Sequence, residues 1–469
     1  MNKQPKEMWI PSRRQLLKTV SSGFGYLAFS SLASMALAQD KQTAGTSNPL
    51  APKQPHFPAK AKRVIFLCMR GGPSHIDTFD YKPELIKNDG KTGAFRGSLL
   101  KSPWEFSQKG DSGLWISELF PELGKMADDL CLLRGMNTDQ PVHPRALTQM
   151  HTGNAQFVRP SLGAWTLYGL GTENDNMPGF ISLSPAAGTA QTYGSSFLPA
   201  IYQGTKLNGP KGSIRSRKGS SGVAPDIKNP RLNQSQQRQQ LDFIQQLNKE
   251  KLRREKDHPG VEGVIESYEL AFRMQSEMPE LMDLSGESQK TLDLYGIGGD
   301  ETDKFGRQCL LARRFSESGV RFIEITHDGW DTHFNMDTRV PQQCKKIDKP
   351  IAGLLKDLKQ RGLLEDTLVV WAGEFGRTPY AQNGNGRDHN NKGYTTWMAG
   401  GGVKGGFSFG STDEMGYEAV EGKCHIHDWH ATILHLLGLN HEELTYRYAG
   451  RDFRLTDVHG NVLKDIIAS

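Results

Sequence analysis

Val64-Ile65-Phe66-Leu67-Cys68-Met69 runs without a polar interruption into Arg70-Gly71-Gly72-Pro73-Ser74-His75-Ile76-Asp77-Thr78. Six apolar residues are too few for a core helix and suit a strand buried on both faces, as in a parallel sheet. The glycine-rich polar loop behind them matters because ligand chemistry in an open parallel sheet gathers beyond the carboxyl ends of the strands.

Two further segments repeat this junction. Val320-Arg321-Phe322-Ile323-Glu324-Ile325 leads into His327-Asp328-Gly329-Trp330-Asp331-Thr332-His333, and Thr367-Leu368-Val369-Val370-Trp371-Ala372 leads into Gly373-Glu374-Phe375-Gly376-Arg377-Thr378. Helical periodicity precedes both strands, over Phe305 to Ser318 and over Asp348 to Arg361, with Gly319 and Gly362 placed to close the helices. Helix alternating with buried strand predicts an α/β domain with a doubly wound, mostly parallel sheet flanked by helices. Between 204 and 232 the chain is rich in Gly, Ser, Pro, Lys and Arg, including Lys211, Arg215, Arg217 and Lys218, which predicts a long surface loop. Residues 233–285 then read as a helical insertion, so loop and insertion together interrupt the domain at about 204–285.

The first residues do not read as part of that domain. Ser12-Arg13-Arg14-Gln15-Leu16-Leu17-Lys18 precedes a weakly apolar stretch, and Ala36-Leu37-Ala38 supplies the small residues a signal peptidase needs. This is the pattern of a twin-arginine signal peptide over residues 1–38, cleaved before Gln39. It predicts passage through the twin-arginine translocase, a folded cargo, a periplasmic or secreted location, and no membrane span after processing. Residues 39–60, with Pro49, Pro52, Pro55 and Pro58, read as an extended lead-in to a domain over 61–469.

Removing the signal changes the charge argument. Lys3, Lys6, Arg13, Arg14 and Lys18 against Glu7 make +4 of the formal net charge of +5, leaving +1 on the mature chain. The basicity therefore belongs to the targeting segment, and nucleic-acid binding is not expected. Five scattered cysteines (Cys68, Cys131, Cys309, Cys344, Cys424) show no CxxC spacing, which argues against a zinc knot and leaves room for one or two disulfides. No dinucleotide fingerprint or haem-attachment motif points to redox chemistry.

The chemistry-bearing side chains collect in the strand-end loops. His75 and Asp77 follow the first strand, Asp331 and His333 the second, Glu374 the third, and Asp388 and His389 lie just beyond in Asn385-Gly386-Arg387-Asp388-His389-Asn390. Imidazoles and carboxylates in such clusters are the ligands that divalent ions require, so one or two ions (zinc, manganese, magnesium or calcium) are expected on His75, Asp77, Asp331, His333, Glu374, Asp388 and His389. Asp328 competes with Asp331 for its place. Arg70 is either a bidentate holder of an anionic oxygen or a structural ion-pair partner.

Six stretches carry a family resemblance: GGPSHIDTFD (71–80), RPSLGAWTLYGLGTEN (159–174), GWDTH (329–333), GEFGRTP (373–379), GRDHN (386–390) and HDWHATILHLLGL (427–439). Together they resemble the DUF1501 family of exported proteins, placed in the alkaline phosphatase and sulfatase superfamily. The resemblance implies an alkaline-phosphatase-like fold, a divalent metal site, and hydrolysis of a sulfate or phosphate ester, with a sulfated or phosphorylated glycan as the anionic substrate. Glu374 stands where the superfamily has a metal-binding aspartate, and Asp428 is read as a helix N-cap. The nucleophile departs from the pattern. Ten residues before the helix-ending Thr152-Gly153 stands His143, not a hydroxyl or thiol. The attacking group is then His143 itself, Ser74 or Thr78, or a hydroxide carried by the metal, with His143 otherwise a ligand. The other class of function is a non-catalytic binding or assembly protein that keeps the fold and a structural metal.

Overall fold

The computed structural model describes residues 48–93, 95–186, 188–207, 231–255 and 259–469. The expected signal peptide, the first part of the lead-in and the basic stretch 208–230 lie outside these residues.

The apolar run that opens the domain is strand β1 (Arg63–Arg70), whose six inner residues are all buried. It is followed in the chain by β2 (Leu130–Asn137), β3 (Phe180–Leu183), β4 (Thr205–Leu207), β5 (Phe322–Asp328) and β6 (Thr367–Ala372). After β6 come β7 (Gly376–Gln382), β8 (Gly386–Asn390), β9 (Tyr394–Ala399), β10 (Phe407–Phe409) and β11 (Cys424–His425). Among the described residues the main sheet has nine strands in the order β10-β2-β9-β6-β1-β5-β3-β4, with β11 added beside β2. β1 is parallel to both of its neighbours, pairing Val64 with Phe322 on one side and with Leu368 on the other. Only β9 runs against the rest, antiparallel to both β6 and β2. The sheet is therefore mostly parallel and flanked by helices, as the alternating pattern predicts.

Strands β7 and β8 leave the sheet as a separate antiparallel ribbon. Asn383 and Gly384 both take positive φ (51° and 87°) at its tip, the conformation a tight ribbon turn demands. The ribbon starts at the carboxyl end of β6 and returns the chain to the start of β9. Its side chains are thereby held against the carboxyl edge of the sheet.

The helices that concern the site are α1 (His143–Thr152), α2 (Leu162–Leu170), α3 (Gln234–Glu255), α4 (Pro259–Met282), α5 (Asp303–Glu317), α6 (Met336–Gln360) and α7 (Ile426–Leu436). Gly319 and Gly362 each lie just past a helix end in the left-handed region (φ +89° and +66°). α6 begins twelve residues before the expected Asp348. Pro341 and Pro350 lie inside it and mask the signal, but Val340, Cys344, Ile347, Ile351, Leu354 and Leu358 form a continuous buried stripe at helical spacing. At α7 the N-cap is His425, and Asp428 sits three residues later, accepting the His425 backbone N–H as the return half of a capping box. That corrects the N-cap reading of Asp428.

α3 and α4 form the helical insertion, tied by a bidentate pair in which Arg238 donates to Glu269 at 2.8 and 2.9 Å. The described part of the lead-in is stitched to the domain, with Lys53 N–H donating to Leu170 O and His56 N–H to Gly438 O, each at 2.9 Å. All five cysteines are free and buried, so the disulfides left open by the cysteine count do not form. Among the described residues no helix is long and apolar enough to cross a membrane.

Candidate metal centre

Four side chains from three segments meet at the carboxyl edge of the sheet. His143 is the first residue of α1, Asp331 and His333 lie in the loop after β5, and His389 lies on β8. One donor atom from each falls within 4.8 Å of all the others. The Nε2 atoms of His333 and His389 are 2.9 Å apart. Asp331 Oδ1 lies 2.9 Å from His333 Nε2, 3.1 Å from His143 Nε2 and 3.4 Å from His389 Nε2.

The other ring nitrogens settle which atoms face inward as lone pairs. His333 Nδ1 donates to Gln382 Oε1 at 2.5 Å, His389 Nδ1 to the Pro141 carbonyl at 2.7 Å, and His143 Nδ1 to Glu374 Oε1 at 2.6 Å. With each Nδ1 carrying the proton, three Nε2 lone pairs and a carboxylate oxygen converge on one point, an arrangement that repels itself unless a cation sits between them. Metal-bound histidines are held in this way, by an acceptor on the second nitrogen that fixes the tautomer. The donor set fits a divalent ion of the zinc, manganese or iron type better than magnesium or calcium, which prefer all-oxygen cages.

Without an ion, a proton is the only cation the cluster can take up. Burial disfavours the His143 imidazolium, but the hydrogen bonds it donates to the Asp331 and Glu374 carboxylates outweigh it and raise His143 to about 9. Burial also works against the charged form of Asp331, yet His143, His389 and Arg377 hold its carboxyl far below the ordinary range.

Several residues that sequence reading left without a role build the frame. Arg377, on β7 and fully buried, donates from Nη2 to Asp331 Oδ1 at 2.6 Å, from Nε to Gly72 O at 2.9 Å and also to Gly71 O. It ties the first strand-end loop to the metal-side carboxylate. A Cβ on Gly71 (φ +115°) would stand 2.6 Å from Asp331 N and 2.9 Å from Trp330 C, so only glycine lets the two loops approach this closely. Phe375 packs its ring against both His143 and His389, with centroids 4.7 and 4.6 Å away. Gln382 and the Pro141 carbonyl had no signal beyond their places in the ribbon and before α1.

The remaining expected site residues stand elsewhere. Glu374 is buried behind His143, where its oxygens also accept the Gly71 N–H at 3.0 and 3.1 Å, so it orients an imidazole instead of joining the four donors. Asp388 flanks the cluster half-exposed, with Oδ1 3.9 Å from His333 Nδ1. The loop bearing His75 and Asp77 turns away. His75 Nε2 pairs with Gly416 O at 2.8 Å, and Asp77 takes a bidentate ion pair from the buried Arg387 at 2.8 and 3.0 Å. Ser74 Oγ donates to that same Asp77 at 2.5 Å, and Thr78 Oγ1 to Ser74 O at 2.8 Å, so neither hydroxyl points at the cluster. Arg70 and Asp328 pair with each other at 3.0 Å on the rim.

Three similar solved structures are the lipoteichoic acid synthase LtaP from Listeria monocytogenes, the PsFucS1 sulfatase from Pseudoalteromonas sp., and the alkaline phosphatase of the Antarctic bacterium TAB5. The first is 9% identical with a TM-score of 0.38, covering 88% of this chain and 78% of that one. The second is 14% identical with a TM-score of 0.33, covering 90% and 73%. The third is 9% identical with a TM-score of 0.32, covering 81% and 98%. No curated protein matches. The family model described as "Protein of unknown function (DUF1501)" matches residues 61–467, and the chain belongs to that family.

Proposed function

We propose that this protein is an exported metal-dependent hydrolase of sulfate or phosphate esters, with glycan-linked esters as its substrate class. The observation that carries the reading is the convergence of three imidazole lone pairs on one carboxylate oxygen. Three neutral imidazoles and one carboxylate leave a divalent ion with a net charge of +1, suited to an anionic ester oxygen. When bound, such an ion supplies Lewis-acid polarisation of that oxygen.

The chain's own groups account for the rest. His143, His333 and His389 hold their lone pairs inward because Glu374, Gln382 and Pro141 take the opposite protons. Arg377 fixes the Asp331 carboxylate from behind. Arg70, 37% exposed on the rim, binds an anionic oxygen by exchanging its Asp328 partner. Half-exposed Asp388 is placed to accept a proton beside the cluster. With Ser74 and Thr78 engaged elsewhere, the attacking group is water and His143 serves as a ligand.

Export is read from the twin-arginine pattern over residues 1–38, with the mature protein periplasmic or secreted. The test uses purified mature protein, its metal content, and turnover of aryl sulfates and phosphates before and after chelation with metal restored. One equivalent of metal at the sheet-edge cluster and chelation-sensitive turnover, both lost in His389→Ala, are expected. Protein that carries no metal and hydrolyses neither ester class would overturn the reading. One observation favours a second reading, a binding or assembly protein with a structural metal: among the described residues, no side-chain hydroxyl or thiol hydrogen-bonds to the four donors. In that case chelation lowers the melting temperature and no ester is turned over.

A further inference from the structure

A second group of metal-ligating side chains lies inside the domain, away from the cluster at the sheet edge. Cys68 on β1, His151 on α1 and Glu324 on β5 are all buried, at 1%, 3% and 1% exposure. β1 and β5 are neighbours, with Phe66 registered on Glu324 and Cys68 on Thr326, so alternation along each strand puts Cys68 and Glu324 on the same face of the sheet. α1 covers that face there, as the packing of Phe66 against the His151 ring at 5.5 Å shows. His151 lies eight residues beyond His143 on the same helix, about 12 Å along its axis.

Three features make this arrangement incomplete as a set of protein contacts. His151 Nδ1 donates to Leu147 O at 2.8 Å, which turns Nε2 outward as a lone pair facing Glu324 Oε1 at 3.3 Å. His151 Nε2 and Glu324 Oε2 are both buried without a hydrogen-bond partner. One donor atom from each of the three residues lies within 4.8 Å of the other two. Buried polar atoms are nearly always satisfied, and two unsatisfied ones in one site point to something that satisfies both.

We propose that Cys68, His151 and Glu324 form a buried, second site for a divalent transition metal of the zinc class. Thiolate, imidazole and carboxylate together suit zinc and its neighbours and not magnesium or calcium. Two ligands at about 2.0–2.1 Å from a tetrahedral zinc sit about 3.3 Å apart, which matches the His151–Glu324 separation. Charge closes as well: a dication with one thiolate, one carboxylate and one neutral imidazole is neutral, as a fully buried site requires. A shared proton would serve the His151–Glu324 pair but would leave Cys68 without a part. An ion here pins α1 to the sheet two turns from His143. The inference is independent of the ester-hydrolase reading, because it concerns different residues.

Cobalt discriminates, since only this site contains sulfur. The full chain is produced in zinc-depleted medium supplemented with cobalt, and its cobalt content and near-ultraviolet absorption are measured. A sulfur-to-cobalt charge-transfer band is expected in the wild type and in His389→Ala, and is absent from Cys68→Ser together with one equivalent of cobalt. Wild-type protein that holds cobalt without such a band overturns the proposal and leaves the pair joined by a proton. So does a Cys68→Ser protein that retains both the band and the metal. Because the wild-type spectrum decides alone, poor folding of Cys68→Ser does not obscure the answer. Loss of hydrolysis in His389→Ala with the band retained separates failure of one site from failure of the other.

Discussion

His333 and His389 face each other through Nε2 atoms 2.9 Å apart, while their Nδ1 atoms are committed to Gln382 Oε1 and Pro141 O. Two imidazole lone pairs do not choose this distance for each other. The relationship makes the acceptors behind the rings as informative as the rings themselves.

Gln382→Leu should therefore weaken metal binding without removing a ligand. The His333 ring loses the acceptor that fixes its tautomer, and loss of such a partner typically costs 10–100-fold in affinity. Competition with a fluorescent chelator measures it. An unchanged affinity would mean that Gln382 does not orient the ring.

Asp77→Ala separates a structural carboxylate from a ligand. Asp77 and Arg387 are 0% and 1% exposed, so removing the acid strands a buried guanidinium and should cost roughly 3–5 kcal/mol in urea unfolding. Metal stoichiometry at the outer cluster should stay at the wild-type value. A drop in stoichiometry from protein that is still folded would return Asp77 to the ligand set.

Gly71→Ala should be costly out of proportion to one methyl group. Its φ of +115° is foreign to alanine, and the added Cβ would collide with the backbone at Asp331. A destabilisation of about 2–3 kcal/mol is expected, with weaker metal binding as Asp331 shifts. Gly72, whose Cβ would first meet the Phe375 side-chain ring and not a neighbouring loop's backbone, makes a useful comparison.

Acid should destabilise the protein through α7. Burial, with a contribution from neighbouring His427, lowers His430 to about 3, while an unfolded histidine titrates near 6.5. The unfolded chain then binds the extra proton between these values. The stability of neutral His430 is complete above pH 6.5 and is lost as pH falls toward 3, at about 1.4 kcal/mol per unit. Melting temperatures from pH 7 to pH 4.5 should fall less steeply in His430→Gln, which keeps a donor for the Met150 carbonyl. Equal slopes would place the acid sensitivity elsewhere, with His427, also lowered by burial to about 4, as the first alternative.

The parts of the molecule that depend on neighbours in sequence were legible. Thr367–Ala372 is buried throughout and forms a strand over the expected residues. Asp331, His333 and His389 stand out as ligand types beside strand ends. What sequence could not convey is which way a loop turns once it leaves its strand. His75 and Asp77 sit closer in sequence to the end of β1 than His389 does to the end of β6, yet Arg387, 310 residues away, draws Asp77 into a buried pair. Glu374 has the chemistry of a ligand, but the Gly71 N–H and His143 occupy its oxygens. Arg377 looks like an ordinary ribbon arginine until its fan of carbonyl acceptors is seen.

The bond between the His389 ring and the Pro141 carbonyl joins residues 248 positions apart. The whole stretch between them must be synthesised before those two can meet. An ion held at this centre would thus enter a completed architecture, acting as a latch on the finished molecule and not as a seed for its folding. Refolding rates should accordingly be indifferent to added metal, while unfolding slows.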